Sequence, residues 1–519
     1  MAKGLQLPLG SLSWLTVLNL FGAVVGLIQT IVIAWIFGAT RSIEIFFAAT
    51  TFQAFLLKIA TTGQVSDLFT PIFHDIQVKH DQERARNAFS AMVNAMLIAA
   101  GVVTVLACLF AGPIAKLLVP GFESAEIELC GTIFLVTAPL LLLQIAGGLF
   151  GNFLAAEHFY GVEEVLGVVC RVGNLLIVLM FGWTLGVWAL ILALWAAAVI
   201  RLVGQFVFVT SKGYRHQLVL QTEDFSPRTV LFKMPFAYVH VFSAQFFAFA
   251  ITAALSFLPE GNYAAFSYAK RLHSKFNGIV LRPIGVLFFN RFSQSLAEGA
   301  EQVRGLATHA LSLSVAVVTL VSVPIVAGGD FLLAGLWGGE KFPRQFIELS
   351  YIALVVFTVS LLLDAQYLVA RRTNLALKIV VRQFVASGFV MLLAGLACYL
   401  VIPNFGVPGA LWICCLSVVL QAASTIFILS WERKDLVAVI PASALMQWFV
   451  AAAGSLIVVF LLRSFFHFSV EPTRLQELLM ATVFGGISVV LVGGFAWVLK
   501  IEEARQVVAK IRSTLVRVS

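Results

Sequence analysis

The sequence predicts an all-α integral membrane protein of about fourteen transmembrane helices, and three observations carry that class. Of 519 residues, 60% are apolar and only 12% charged, where a soluble chain carries about 25% charged residues. Apolar runs recur from Ser11 to Leu499, most of them about 20 residues long and so able to cross roughly 30 Å of hydrocarbon. Backbone amides in lipid have to bond within their own segment, which makes these runs helices. Finally, Lys and Arg crowd into alternate loops.

The spans read as 12–38, 43–73, 88–117, 129–155, 163–181, 186–210, 231–258, 262–290, 305–335, 345–370, 376–401, 407–430, 439–464 and 477–499. Pro, Gly or charge separates most of them, as at Pro120-Gly121, Pro259-Glu260-Gly261, Gly338-Gly339-Glu340 and Pro403-Asn404-Phe405-Gly406. The first stretch, Leu12 to Gly38, is too long for a signal-peptide core and lacks a small-residue cleavage site, so it is read as a span. Cys108, Cys130, Cys170, Cys398, Cys414 and Cys415 show no metal-ligand spacing and read as small buried hydrophobes.

One set of loops holds Lys3, Lys79, Arg84, Arg86, Lys212, Arg215, Arg228, Lys233, Arg291, Arg304, Arg371, Arg372, Lys378, Arg433, Lys434 and five more in the tail, 20 in total. The other set holds six: Arg41, Lys116, Lys341, Arg344, Arg463 and Arg474. The positive-inside rule puts the first set, and both termini, in the cytoplasm. The net charge of +8 is thereby a matter of membrane orientation, and nucleic acid is not an expected partner.

The longest cytoplasmic loop, about Ser211 to Thr229, divides the first twelve spans into two groups of six. Phe46-Phe47-Ala48-Ala49 and Phe266-Ser267-Tyr268-Ala269 each follow a short external turn, and Phe69-Thr70-Pro71-Ile72-Phe73 and Phe288-Phe289-Asn290-Arg291-Phe292 follow each at a similar distance. Both groups face the same way, as a parallel repeat requires. The expected organisation is an N-lobe over 1–215, a C-lobe over 216–432, two further spans over 433–499 and a cytoplasmic amphipathic tail over 500–519.

Ionisable residues inside spans cost about 2.5–3.5 kcal/mol each on insertion scales, so each is a functional candidate. In the eighth span Arg271, Lys275 and Arg282, with Gly278 between them, follow spacings of four, three and four and share one helical stripe. Counted from Asn262, Arg271 sits about 13 Å along the axis, near mid-membrane, out of reach of either interface. Lys58, Arg171, Arg201 and Arg382 lie toward the inner ends of their spans. A basic stripe of this kind suits an anion, and arginine suits phosphate through its planar donor fork. Among the acidic residues, Glu44, Asp67 and Asp364 are candidates for binding a coupling Na+ or H+, or equally for ion pairs with neighbouring bases. The sequence contains no P-loop, no Gly-x-Ser-x-Gly and no His-Glu-x-x-His, so neither an ATPase nor another enzyme is expected.

Ile36-Phe37-Gly38-Ala39, Glu44-Ile45-Phe46-Phe47-Ala48-Ala49, Phe69-Thr70-Pro71-Ile72-Phe73 and Val119-Pro120-Gly121-Phe122 resemble the MurJ/MviN family of lipid II flippases. So do Tyr268-Ala269-Lys270-Arg271-Leu272 through Phe288-Phe289-Asn290-Arg291-Phe292-Ser293, and Tyr367-Leu368-Val369-Ala370-Arg371-Arg372-Thr373. The resemblance implies membership of the multidrug/oligosaccharidyl-lipid/polysaccharide exporter superfamily, with fourteen helices, two six-helix lobes, a cationic central cavity and alternating access. The departures are specific. Where the family carries first-span arginines this chain has Ala23 and Gln29, and Thr30 replaces an aspartate. Leu57 replaces a second-span arginine, with Lys58 beside it, and the family's Glu-Gly pair reads Thr62-Gly63. The family's Asp-Arg pair in the eighth span becomes Lys270-Arg271.

These features together lead to the expectation of a flippase for an undecaprenyl-diphosphate-linked oligosaccharide, an exopolysaccharide repeat unit, in a bacterial cytoplasmic membrane. Arg271 would contact the diphosphate, with Lys275, Lys270, Lys58 and Arg282 as further contacts. Membrane lipids and a polysaccharide polymerase or glycosyltransferases are the expected partners, and no cofactor beyond a coupling ion is expected. Lipid II flipping, cation-coupled drug export and a non-transporting synthase scaffold are the alternatives.

Overall fold

The computed structural model describes residues 9–61, 73–157, 159–223, 226, 235–295, 300–377, 379–465 and 472–501. Asp67 and the expected amphipathic tail beyond Ile501 lie outside them. Among the described residues the chain forms fifteen α-helices. They are α1 (Leu9–Phe37), α2 (Arg41–Thr61), α3 (Gln82–Leu109), α4 (Ala111–Leu118), α5 (Ser124–Thr137), α6 (Leu140–Ala156), α7 (Tyr160–Leu185) and α8 (Val187–Ser211). There follow α9 (Pro235–Leu255), α10 (Asn262–Ser295), α11 (Ala300–Trp337), α12 (Arg344–Ala376), α13 (Val380–Glu432), α14 (Ala442–Ser464) and α15 (Arg474–Val498).

Among the described residues, ten helical stretches are long and apolar enough to cross a membrane. One of them, α13, is two helices meeting at Gly406 (φ 62, ψ −149) between Pro403 and Pro408, a conformation that favours glycine. Another joins α5 to α6 across Pro139, which lacks the amide needed to continue the ladder. With α2, α9 and α10 added, each of the fourteen expected spans overlaps a helix, half of a kinked helix or a helix pair among the described residues. Helix α10 is 34 residues long, but Lys270, Arg271, Lys275 and Arg282 lie within it.

The parallel repeat is visible in local geometry. Gly38 (φ 63) precedes α2 and Gly261 (φ 93) precedes α10. Gly186 (φ 58, ψ −139) joins α7 to α8 as Gly406 joins the halves of α13. At the turn after α6, Phe159 N donates to Leu154 O at 2.7 Å, and at the turn after α12, Ile379 N donates to Asn374 O at 2.9 Å.

Packing divides the chain into two compact units, Met1–Glu260 and Gly261–Ser519. The boundary in contacts therefore falls after α9, whereas the duplication counts α9 as the first span of the second lobe. The reason is local. A β-carbon at Gly121 would stand 2.6 Å from the Phe257 backbone, Gly121 N donates to Ser256 Oγ at 3.0 Å, and Phe52 and Phe55 of α2 meet Phe249 and Phe242 of α9.

The core of the first unit gathers Phe73, Phe89, Phe150, Phe153 and Tyr214. The chain after α8 is strapped onto α3. Tyr214 Oη lies 2.8 Å from Ser90 Oγ and 2.9 Å from His216 Nδ1, and His216 Nε2 lies 2.9 Å from Asn94 Oδ1. Burial pushes the Tyr214 phenol up to about 12 and lowers the His216 imidazole. In the second unit α14 and α15 pack on α11 through Ala327, Val459 and Phe484. Arg463 pairs with Asp330 at 2.6 Å over the ring of Phe331, and Arg344 pairs with Glu477 at 2.8 Å.

Candidate functional site

The basic stripe survives folding. On α10, Arg271, Ser274, Lys275 and Gly278 are exposed, while Ala269, Leu272 and Val280 are buried. Positions i, i+3, i+4 and i+7 form one helical face. Its chemistry differs from that of α14 and α15, which expose Phe449, Ile457, Leu461, Leu475 and Val490, as lipid demands. A face carrying Arg, Lys, Ser and Gly at this depth has to meet a polar partner, water or a polar ligand instead. Arg271 is anchored at its root by aromatic packing. Tyr268, fully buried, lies 5.5 Å from the Trp337 ring and 5.8 Å from Phe342, and the phenols of Tyr263 and Tyr268 lie within electrostatic reach of the guanidinium.

The other expected anion contacts distribute differently. Lys270 is half-buried beside the stripe, its Nζ 5.8 Å from the Phe266 ring and within electrostatic reach of Cys398 and Cys414 on α13. Arg282 falls on the stripe by helical register, and its side chain lies outside the described residues. Lys58 is exposed in the last turn of α2, in the first unit. The structure therefore brings Arg271 and Lys275 together on one face, with Lys270 on the adjoining one.

Several intramembrane charges turn out to be paired. Glu44 has no accessible surface and accepts from Arg41 at 2.6 Å, and Arg41 also reaches Glu126 at 3.3 Å. Arg201 pairs with Glu163, which Gln205 also meets, and Arg382 pairs with Glu432. Asp364 meets two side chains of α10, His273 and Asn277. The sequence reading did not single out His273. The pairing spans 91 residues of chain and leaves no trace in local spacing. Among the described residues no group of three or more His, Cys, Asp or Glu side chains is placed to hold a metal ion.

In the first unit the positions of the missing first-span charges are unremarkable. Thr30 is buried and donates to Gly26 O at 3.0 Å, and Ala23 and Gln29 are half-buried.

This architecture of membrane-length apolar helices, internal parallel repeat and basic helix face is that of a polytopic membrane protein. The fold resembles the solved structure described as lipid II flippase MurJ in an inward closed conformation, with a TM-score of 0.77, 14% identity, and 94% of this chain and 99% of that one covered. It also resembles an inward-facing multidrug resistance MATE family transporter of the MOP superfamily, with a TM-score of 0.62, 16% identity, and 82% and 99% coverage. The sequence matches the profile of the family described as lipid II flippase MurJ over residues 33–480, and the chain belongs to that family. A probable lipid II flippase MurJ of Thermotoga maritima is 22% identical over 379 residues, 71% of this chain and 74% of the relative. One from Buchnera aphidicola subsp. Baizongia pistaciae is 24% identical over 172 residues, so the match spans about a third of each chain.

Proposed function

We propose that this chain flips an undecaprenyl-diphosphate-linked oligosaccharide, an exopolysaccharide repeat unit, from the inner to the outer leaflet of a bacterial cytoplasmic membrane. The observation that supports it is the exposed face of Arg271, Ser274, Lys275 and Gly278 on a membrane-spanning helix. Arg271 contributes a planar fork for the diphosphate and Lys275 a second positive charge one turn away. Gly278 leaves the face without a side chain where a bulky headgroup would pass. The cycle is alternating access without catalysis.

The choice of glycan rests on the first unit. A diphosphate held between first-span, second-span and eighth-span arginines has no partners at Ala23, Gln29 and Leu57. Each lost charge-assisted bond is worth about 1.5–3 kcal/mol. Family membership favours the second reading, lipid II itself. Expression in cells depleted of their own lipid II flippase decides between them. Failure to rescue, together with loss of surface polysaccharide and accumulation of lipid-linked repeat units in the deletion strain, is the expected result. Rescue at ordinary expression would overturn the exopolysaccharide assignment in favour of lipid II.

A further inference from the structure

Beside the basic stripe, α10 carries a second polar group that anion binding does not use. His273 and Asn277, one turn apart, turn toward α12 and meet the same carboxylate. His273 Nε2 lies 3.8 Å from Asp364 Oδ2, and Asn277 Nδ2 donates to that oxygen at 3.3 Å. Both partners of the His–Asp pair are largely withdrawn from solvent, at 15% and 22% side-chain exposure. The other ring nitrogen, His273 Nδ1, is buried with no hydrogen-bond partner, and the ring tilts over Phe357 at 5.3 Å. An imidazole and a carboxylate that interact by more than about 1 pK unit titrate as one unit.

Among the described residues, two further titratable groups lie within electrostatic reach of the pair. Lys270 on α10 lies within electrostatic reach of His273, and the Cys415 thiol on α13 within reach of Asp364. Helix α11 contributes Val317, Val318 and Val321 to the apolar cluster around Leu361 and Ala365 of α12. Hard metal cations take oxygen ligands. Here one oxygen is met by an amide N–H and a ring nitrogen, a set suited to a proton rather than to sodium.

We propose that His273 and Asp364 form a proton-binding site linked to occupancy of the basic stripe on the same helix, an inference that rests on the anion reading above. Without its proton the pair carries one negative charge, and with it none. A diphosphate at Arg271 and Lys275 adds negative charge two residues from His273. Proton uptake and anion binding therefore favour each other, and by linkage the effect is reciprocal.

Two measurements on the full-length protein in nanodiscs test this. The first needs no substrate. Infrared difference spectra between neutral and acidic buffer should show a protonated-carboxyl band that is absent from Asp364→Asn and titrates at a displaced pH in His273→Gln. A band unchanged by Asp364→Asn removes the site, and one unmoved by His273→Gln removes the imidazole from it. Displacement of the band by sodium chloride, but not by choline chloride, would make it a sodium site and overturn the proton assignment. The second is binding of farnesyl diphosphate. Wild-type affinity should rise more steeply on acidification than that of Asp364→Asn, by up to about tenfold per pH unit for one linked proton. Comparing the two proteins in the same buffers cancels the ligand's own ionisation. Identical pH profiles would overturn the linkage. No binding to wild type at any pH would sink the anion reading and the linkage together, while the infrared band still decides the proton site.

Discussion

The guanidinium of Arg171 on α7 occupies a notch that Gly22 leaves open on α1. A β-carbon at position 22 would collide with Arg171 Nη1 and touch Val168 Cγ2 at 3.5 Å. In a membrane, helices gain close contact from small residues rather than from expelling water, and here the small residue makes room for a charge. Gly22→Ala should lower the melting temperature, at a cost below the roughly 1–3 kcal/mol of overpacking against a rigid neighbour, because the displaced group is the far end of a flexible arginine side chain. Arg171→Ala in the same chain should restore most of that loss, because the colliding group is gone. A double-mutant cycle by thermal melting checks it, and additive losses would show that the notch does not seat the guanidinium.

Arg271→Ala should abolish transport while the protein still accumulates in the membrane. Arg271→Lys should restore only part of it, because a point-charge ammonium does not reproduce a bidentate fork. Lys275→Ala should be milder. Flipping assays in proteoliposomes, read beside expression level, distinguish lost activity from lost protein. Full activity in Arg271→Ala would remove the anion site.

The topology follows from loop charge. Reporters fused after Ser519 and within 211–229 should both read cytoplasmic, and one within Pro259–Gly261 should read external. Opposite readings for the two cytoplasmic fusions would mean that the number of spans between them is odd.

Asp330 and Arg463 are each about 19% exposed and tie α11 to α14. Removing one partner strands a mostly buried charge, so Asp330→Ala should destabilise by about 3–5 kcal/mol. Asp330→Leu combined with Arg463→Met should cost much less. Melting curves of the three variants test the order, and equal losses for single and double replacement would mean that the pair holds nothing together.

The strap over α3 should be acid-sensitive. Burial lowers the His216 pKa in the folded chain below its ordinary 6.5, so the unfolded segment binds more protons as pH falls. Its stability is complete above pH 6.5 and declines as pH drops through that value toward the lower folded one. Protection factors over residues 212–219, corrected for the intrinsic pH dependence of amide exchange, should fall below pH 6.5 in the wild type and show a flatter pH profile in His216→Asn. An unchanged pH profile in the variant would mean that another group controls the strap.

The sequence by itself determined the class, the span positions and the basic face of α10. Each follows from a local rule: a segment in lipid satisfies its own backbone, and side chains at i, i+4 and i+7 share a helical face wherever the helix sits. The glycines at 261 and 406 were legible as turn residues for the same reason, since a left-handed backbone is a property of a few consecutive residues, whereas the turn read at Gly182-Trp183 falls inside α7 and the break comes at Gly186. What only the tertiary structure decided is which charges meet. Glu44 with Arg41 was within local reach, but Arg201 with Glu163 joins two consecutive helices and Arg382 with Glu432 the two ends of α13, while Arg463 with Asp330 and His273 with Asp364 join helices far apart in sequence. The same distance kept Arg171 from being matched to Gly22, and α9 from being grouped with α2. A charge inside a membrane has to find a partner, water or a ligand, and which of these it finds depends on the packing of helices that no local pattern records.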